Sequence, residues 1–446
     1  MTTSQTIYAL SSGSLPSAIS IVRVSGPLTQ KLLNMFVGQV PKARYFKYSE
    51  IKLPNSKEII DIALVVFFPS AESITGEDLA EFHIHGSYAV LEDLLLAFSS
   101  LEGLKPAEPG EFTKQALLNG KMELTQVEAL SDLISSETKK QKNQALRQIK
   151  GELTHRYNKW RDIIINIRSK LEASLDFVDE SDVLEKNFAK EISKKLTYLI
   201  KDITKDIERG VSGEKLRTGV KIALIGSPNV GKSSLINVLL NEERAIVSPE
   251  AGTTRDVIEA RLNLNNIPVT VYDTAGIRKT KGVIEREGVE RAKKAANEAD
   301  IVLLVKDVTN NDKEKEIFKI ENKEKVIKIY NKSDLLQKQP VNKNNKFFIS
   351  CLKEEGIDHM LKKIGERAEY LTGDGDYLGP TRTRHVSHLN ETKASLENGL
   401  VQHNNKNFDI EAEFLRSASV SLGRIVGKID VEDVLDELFS SFCIGK

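Results

Sequence analysis

The stretch VKIALIGSPNVGKSSLINVLLN, beginning at Val220, constrains the fold more than any other part of the chain. An apolar run with the character of a buried strand leads straight into Gly-x-x-x-x-Gly-Lys-Ser, and then into residues whose apolar positions recur at helical spacing. A strand, a tight turn and a helix in that order form the opening unit of a doubly wound α/β domain. Gly226 and Gly231 let the backbone turn tightly enough to aim N–H groups at phosphate oxygens. Lys232 brings a point charge to the β- and γ-phosphates, and the Ser233 hydroxyl suits Mg²⁺.

Three further segments follow in the order that a GTPase needs. AGTTRD, from Ala251, offers Thr254 as a second Mg²⁺ ligand on a loop able to sense the γ-phosphate. VYDTAG ends a strand with Asp273, placed to hold the metal through water, and Gly276, whose N–H faces the γ-phosphate. The strand VIKIY runs into NKSD, where the Asp334 carboxylate suits the paired N–H donors on the guanine edge. Adenine lacks that pair and leaves the carboxylate unsatisfied, a discrimination of roughly 10⁴-fold. KFFISCLK then brings Ser350, Cys351 and Leu352 round the base, where Ser-Ala-Lys is more usual, and Cys351 reads as a small packing residue. The expected GTP-contacting set is Asn229, Val230, Gly231, Lys232, Ser233 and Ser234 of the P-loop, with Ser248, Pro249, Glu250, Ala251, Gly252, Thr253 and Thr254 of the next loop. Asp273, Thr274, Ala275 and Gly276, then Asn331, Lys332 and Asp334, and last Ser350, Cys351 and Leu352 complete it.

The residue after DTAG is Ile277, an apolar side chain where many regulatory GTPases place a glutamine to orient water. Orientation must come from elsewhere, and Glu285, Glu287 and Glu290 follow closely. The positive charge needed between the β- and γ-phosphates has two sources open to it. One is Arg255 or Arg278; the other is a monovalent cation held by the Asn229 side-chain carbonyl and oxygens of SPEAGTT.

With 446 residues the chain is too long for one core. Its organisation reads as 1–118, an α+β domain of short alternating strands; 119–213 and 377–446, two parts of one helical domain; and 214–376, an inserted G domain. VEALSDLISSETKKQKNQALRQIKGEL reads as long helix, and TGDGDYLGPT as the return linker. Lys plus Arg equals Asp plus Glu at 64 each, so a nucleic-acid partner needs a local patch. Lys139–Lys170 carries ten Lys and Arg against Glu152 and Asp162, either a solvated face or a contact for nucleic acid or a partner. No apolar run approaches the ~20 residues that span a bilayer. The start lacks the pattern of a secretory signal and cysteines number only two, so the expected location is the cytoplasm with reduced thiols.

VRVSG at Val22, EFHIHG at Glu81, PGEFTKQALLNGKMELTQVEAL from Pro109 and FCIGK at the end join the GTPase motifs in a pattern that resembles the tRNA modification GTPase MnmE (TrmE) family along essentially the whole chain. The resemblance implies an N-terminal tetrahydrofolate-binding domain that also dimerises, a helical domain and an inserted P-loop domain. It also implies a flavoprotein partner, MnmG. Together they install an aminomethyl or carboxymethylaminomethyl group on C5 of the wobble uridine of certain tRNAs, using 5-formyl- or 5,10-methylene-tetrahydrofolate. By the same resemblance, Arg23, Glu81, Lys121 and Lys446 belong to the folate site, and Asn229, Ser248, Glu250 and Thr253 hold K⁺. Glu285 becomes the water-orienting residue, and Ile277 is expected. Glu81 suits the N–H edge of a pterin, while the basic residues suit folate carboxylates.

Cys443 either stands beside the one-carbon carrier as a catalytic thiol that takes part in handling that unit, or is packed with Phe442 and Ile444. His83 and His85 share a strand face with Glu81 but have no cluster of metal ligands nearby, which favours a hydrogen-bonding role, or none, over a metal site. The functional alternatives are a tRNA-modifying enzyme and a GTPase switch gating RNA or ribosome assembly. The G-domain motifs fit both; the N-terminal blocks and the tail fit only the enzyme.

Overall fold

The computed structural model describes residues 5–54, 56, 58–176, 182–246, 259–273, 294–309, 322–337, 345–373, 378–429, 435, 438–440, 442, 444 and 445, without the side chains of 174–176 and 182–188. Backbone contacts divide the chain into two compact units, one of residues 1–131, 149–168 and 416–446, the other of 132–148 and 169–415.

In the first unit, β1 (Thr6–Leu10), β2 (Ser17–Ser25), β3 (Lys47–Lys52), β4 (Ile59–Phe68), β5 (Leu79–Gly86) and β6 (Leu104–Pro106) make a sheet of order β3-β4-β5-β2-β1-β6. Every pairing is antiparallel except β1 with β6. Strand alternation sends Val22, Val24, Ala80, Phe82 and Ile84 to one face, where α1 (Thr29–Val37) and α2 (Tyr88–Ser99) cover them. Phe98 is the hub of this core, edge-on to Tyr8, Phe36 and Phe82 at centroid distances of 5.4, 5.0 and 5.6 Å. The other face carries Arg23, Glu81 and His83, with Ile7, Ala9 and Ala107 packed against Phe112 of α3 (Glu111–Leu118).

The long helical stretch expected after Met122 is three helices: α4 (Leu124–Ile134), α5 (Lys139–Ile149) and α6 (Glu152–Asp176). The first break is a reciprocal cap, in which Thr138 N donates to Gln141 Oε1 at 3.1 Å and Gln141 N to Thr138 Oγ1 at 3.4 Å. The second is Gly151 at φ 84°. Trp160 is a packing residue, 2% exposed and stacked obliquely on Tyr157 at 5.5 Å. The last described residues return to this unit. Leu435, Leu438, Phe439 and Phe442 pack on Leu124 and Val127, Phe439 closes over Gly110, and Gly445, at φ 93°, lies against the Leu10 carbonyl.

The second unit contains α7 (Asp182–Thr218), which runs directly into β7 (Val220–Ile225) through Gly219 at φ 84°. After α8 (Lys232–Asn241) come β8 (Glu259–Leu264), β9 (Ile267–Asp273), β10 (Ile301–Asp307), β11 (Val326–Asn331), β12 (Lys346–Phe348) and α9 (Ile357–Thr372). The sheet order is β12-β11-β10-β7-β9-β8, parallel except for β8 against β9. This is the doubly wound sheet of the P-loop class, and buried Ile, Leu and Val fill both of its faces.

The helices α10 (Thr383–Asn404) and α11 (Phe408–Val426) follow, α10 packing along α7. The fold therefore has an α+β N-terminal domain, helical segments and an α/β P-loop domain set between them. The described end of the expected return linker is packed: Leu378 is 2% exposed and Thr381 fully buried. Thr381 O accepts from Arg217 Nε at 2.8 Å, and its hydroxyl from Gln148 Nε2 at 3.1 Å. Where the chain enters and leaves the P-loop domain, it is thus fixed by side chains. Among the described residues no helix is long and apolar enough to cross a membrane.

Phe98→Ala is expected to destabilise the N-terminal sheet by about 3–5 kcal/mol. Urea unfolding followed through hydrogen exchange of β2 and β5 amides measures it, and protection equal to wild type would contradict the hub assignment.

Candidate functional site: a nucleotide-binding edge

In open parallel sheets, ligands bind beyond the carboxyl ends of the strands where strand order reverses. Here β7 lies between β10 and β9, and the motif residues of β7, β9 and β11 all follow or end those strands. Asn229 and Gly231 take φ of 63° and 97°, so successive N–H groups turn toward the start of α8. Two glycines are sterically required. A Cβ at Gly226 would strike the Val305 carbonyl, and one at Gly231 the Asn331 side chain.

Lys232 is 8% exposed and donates to the Gly226 and Ser227 carbonyls, each at 2.8 Å. Burial pushes its ammonium below the ordinary lysine range, and the nearby Asp273 carboxylate opposes that shift. Ser233 Oγ donates to Asp273 Oδ2 at 3.5 Å, and Asp273 is 1% exposed. A hydroxyl and a buried carboxylate side by side are a hard-oxygen pair that fits Mg²⁺.

At the other end, Asn331 joins three elements. Its Nδ2 donates to Val230 O at 3.0 Å, and its Oδ1 accepts from Cys351 N at 3.1 Å. Ser350, fully buried, donates to Asp334 Oδ1 at 2.5 Å, which aims one carboxylate oxygen and leaves acceptor capacity on the other. Lys332 Nζ meets Asp307 Oδ2 at 2.5 Å. Leu352 is 85% exposed. Burial pushes the Cys351 thiol up to about 11; a hydrogen bond with Asn331 lowers it and Asp334 raises it further. Ser234 lies in the first turn of α8.

The expected residues Ser248, Pro249, Glu250, Ala251, Gly252, Thr253, Thr254, Thr274, Ala275, Gly276 and Glu285 lie outside the described residues, as do Cys443 and Lys446. Arg255, Ile277, Arg278, Glu287 and Glu290 lie outside them too.

On the N-terminal sheet, Arg23 and Glu81 are direct cross-strand partners. Glu81 Oε1 accepts from Arg23 Nε at 3.1 Å and Nη2 at 2.8 Å, and Oε2 meets His83 Nε2 at 3.3 Å. The guanidinium lies 5.6 Å from the Phe112 centroid. Lys121 has another partner, the Ala71 carbonyl at 2.8 Å. His85 pairs with Asp61 at 2.9 Å, so both histidines are hydrogen-bonded, and no metal-ligand cluster occurs among the described residues. A carboxylate holding a cation on one oxygen still has lone pairs for pterin N–H donors, so the Arg23–Glu81 pair fits a folate.

The fold and this edge define a P-loop GTP-binding protein. The family model described as the MnmE helical domain matches residues 124–443, and that of the GTP-binding protein TrmE N-terminus matches 6–121. The tRNA modification GTPase MnmE of Brucella anthropi is 42% identical over 441 residues, 99% of this chain and 98% of that one. Those of Chelativorans sp. and Rhodopseudomonas palustris are each 43% identical, over 99% of this chain and 98% and 99% of theirs. The chain belongs to the tRNA modification GTPase MnmE family.

With its thiol pushed up to about 11, Cys351 is roughly a thousandth thiolate at pH 8. Iodoacetamide at that pH is expected to leave Cys351 unmodified in the folded protein and to label it after denaturation, as read by peptide mass spectrometry. Rapid native labelling would show that the thiol is exposed and ionised.

Proposed function

We propose that the chain hydrolyses GTP in a K⁺-stimulated cycle that serves tRNA modification. The observation that carries this reading is the convergence of Lys232, Ser233 and Asp273 with Asn331, Asp334 and Ser350 at one sheet edge, in a chain of this family. P-loop N–H groups and Lys232 bind the β- and γ-phosphates, and Asp334 selects guanine. Ser233 and Thr254 hold Mg²⁺, with Asp273 reaching it through water, and Glu285 orients the attacking water. Asn229, Ser248, Glu250 and Thr253 supply oxygens to K⁺. Bound there, K⁺ supplies the positive charge that an arginine supplies in other GTPases. Asn229 stands in the P-loop with an oxygen-bearing side chain at φ 63°, which supports its part.

With the flavoprotein MnmG, the chain uses 5-formyl- or 5,10-methylene-tetrahydrofolate to install an aminomethyl or carboxymethylaminomethyl group at C5 of the wobble uridine of its tRNA substrates. Arg23, Glu81, Lys121 and Lys446 bind the folate. Cys443 belongs to the same pocket, a reading supported by Gly445 lying against β1, whose Ala9 pairs with Arg23. A homodimer forms through the N-terminal domain. Phe46, Tyr48, Ile62 and Leu64, exposed at 57, 71, 39 and 42%, leave apolar surface on β4 and its neighbours for a second copy to cover. The functional segments are 1–118, 119–213, 214–376 and 377–446, acting in the cytoplasm. Exposed lysines of the basic stretch, Lys139, Lys142, Lys150, Lys159 and Lys170, offer contacts to the tRNA backbone or to the partner.

GTP turnover in K⁺ against Na⁺ at equal ionic strength tests the cycle. Selective K⁺ stimulation is expected, absent in Asn229→Ala, with turnover lost in Glu285→Ala; equal rates in both salts would transfer the role to Arg255, Arg278 or a partner. For the second site, Arg23→Ala is expected to weaken 5-formyl-tetrahydrofolate binding by about tenfold or more, measured by calorimetry. Unchanged affinity would remove Arg23 from the pocket.

A further inference from the structure

Asp307, which pairs with Lys332 of the base-binding turn, touches neither the phosphate end nor the guanine-reading carboxylate in the contacts described above. Asp307 ends β10 and is the direct register partner of Asn331 on β11. Val308 N donates to Asn331 O at 3.0 Å, so the two strand ends remain joined where the NKSD turn begins. Lys332 itself is in the left-handed region, φ 65° and ψ 35°, which a residue with a side chain enters only at a cost. The short 3₁₀ turn Ser333–Leu335 that follows carries Asp334.

The Asp307 carboxylate is a fixed anchor. One oxygen accepts from Thr309 N at 2.9 Å and from Thr309 Oγ1 at 2.7 Å; the other holds Lys332 Nζ at 2.5 Å. The Asp307 side chain is 13% exposed and that of Lys332 37%. Hydrogen bonds from Thr309 and Lys332 favour the charged carboxylate against its burial. A free lysine samples many rotamers, and ordering one at the moment of ligand binding weakens affinity. Here both ends of the Lys332 stem are held beforehand, its Cα by the turn and its Nζ by Asp307, two residues from the guanine-reading carboxylate.

We propose that Asp307, fixed by Thr309, is a positioning residue for guanine-nucleotide binding: it tethers Lys332 so that the base-binding turn is already ordered when nucleotide arrives. Asp307 acts only through Lys332. The inference rests on the guanine-nucleotide reading of this edge.

The test is a double-mutant cycle on the full-length protein, with fluorescent GDP as the probe and thermal melting as the check on folding. Asp307→Ala is expected to raise the Kd for GDP about tenfold, the scale of one side chain ordered on binding. The isosteric Asp307→Asn, which keeps an acceptor for Thr309 and lacks the charge, is expected to give an intermediate loss of about threefold; it carries the test if the alanine variant melts early. In Lys332→Ala, adding Asp307→Ala is expected to change the Kd less than twofold. A general loosening of the fold would weaken binding equally with or without Lys332. Additive losses, or wild-type affinity in both Asp307 variants beside a weakened Lys332→Ala, would overturn the proposal. A Lys332→Ala variant that binds GDP like wild type would instead undermine the assignment of the base site.

Discussion

The P-loop domain depends on a steric constraint at the end of its central strand. β7 is covered on both sides, by β10 and β9, and the chain must leave it without colliding with either neighbour. At Gly226 the exit passes against the Val305 carbonyl of β10, and at Gly231 the start of α8 passes against the Asn331 side chain. Any Cβ at these positions separates elements that the site needs together. Absence of side chains there lets Asn331 reach the Val230 carbonyl, and through Cys351 N the same residue reaches the loop after β12. One amide thus bonds the phosphate end of the edge to its base end. The bond to Val230 is buried, and there an unpaired partner costs about 1–3 kcal/mol; the bond from Cys351 is partly buried.

Where the determinants are local, they can be read from the sequence. The P-loop and NKSD specify their turns through glycine spacing and short polar runs, and those turns occur at the expected strand ends. The break between α4 and α5 was also written locally, as the reciprocal Thr138 and Gln141 cap, but a helical hydrophobic period runs through it and conceals it. Other features depend on partners far along the chain. Arg23 and Glu81 are 58 residues apart, and their pairing follows from the antiparallel register of β2 and β5, which motif spacing does not encode. Asp307 and Lys332 are 25 apart, and an aspartate ending a strand is too common to attract notice by itself. The packed return at Leu378 and Thr381 was hidden because its Gly- and Pro-rich composition is that of a linker.

Burial sorts the two ends of the nucleotide edge chemically. Lys232 and Asp273 are both taken out of water, so the lysine's charge is costly there and its ammonium turns to the carbonyls of its own loop. A polyanion offers that ammonium a stronger partner than neutral carbonyls, which favours phosphate in the same place. Cys351 shows the opposite outcome. Half-buried and beside the Asp334 carboxylate, its thiol is held neutral, and it contributes its backbone N–H to Asn331 rather than a nucleophile.

The N-terminal sheet solves a related problem by a different route. A half-buried arginine on a sheet face needs a counter-charge, and antiparallel register brings Glu81 directly opposite it. Both Arg23 donors converge on one carboxylate oxygen, so the pair is charge-compensated without consuming the acceptor capacity of the other. Close by in the register, the far end of the chain approaches β1 at Gly445, where a side chain would overlap the Leu10 carbonyl. A glycine at φ 93° is therefore what permits the tail to lie against the strand at all. The clustered Leu435, Leu438, Phe439 and Phe442 supply the apolar burial that holds it there, at about 25 cal/mol per Å² removed from water. The tail is thus held by apolar packing on helix α4 and admitted to the sheet by one residue without a Cβ.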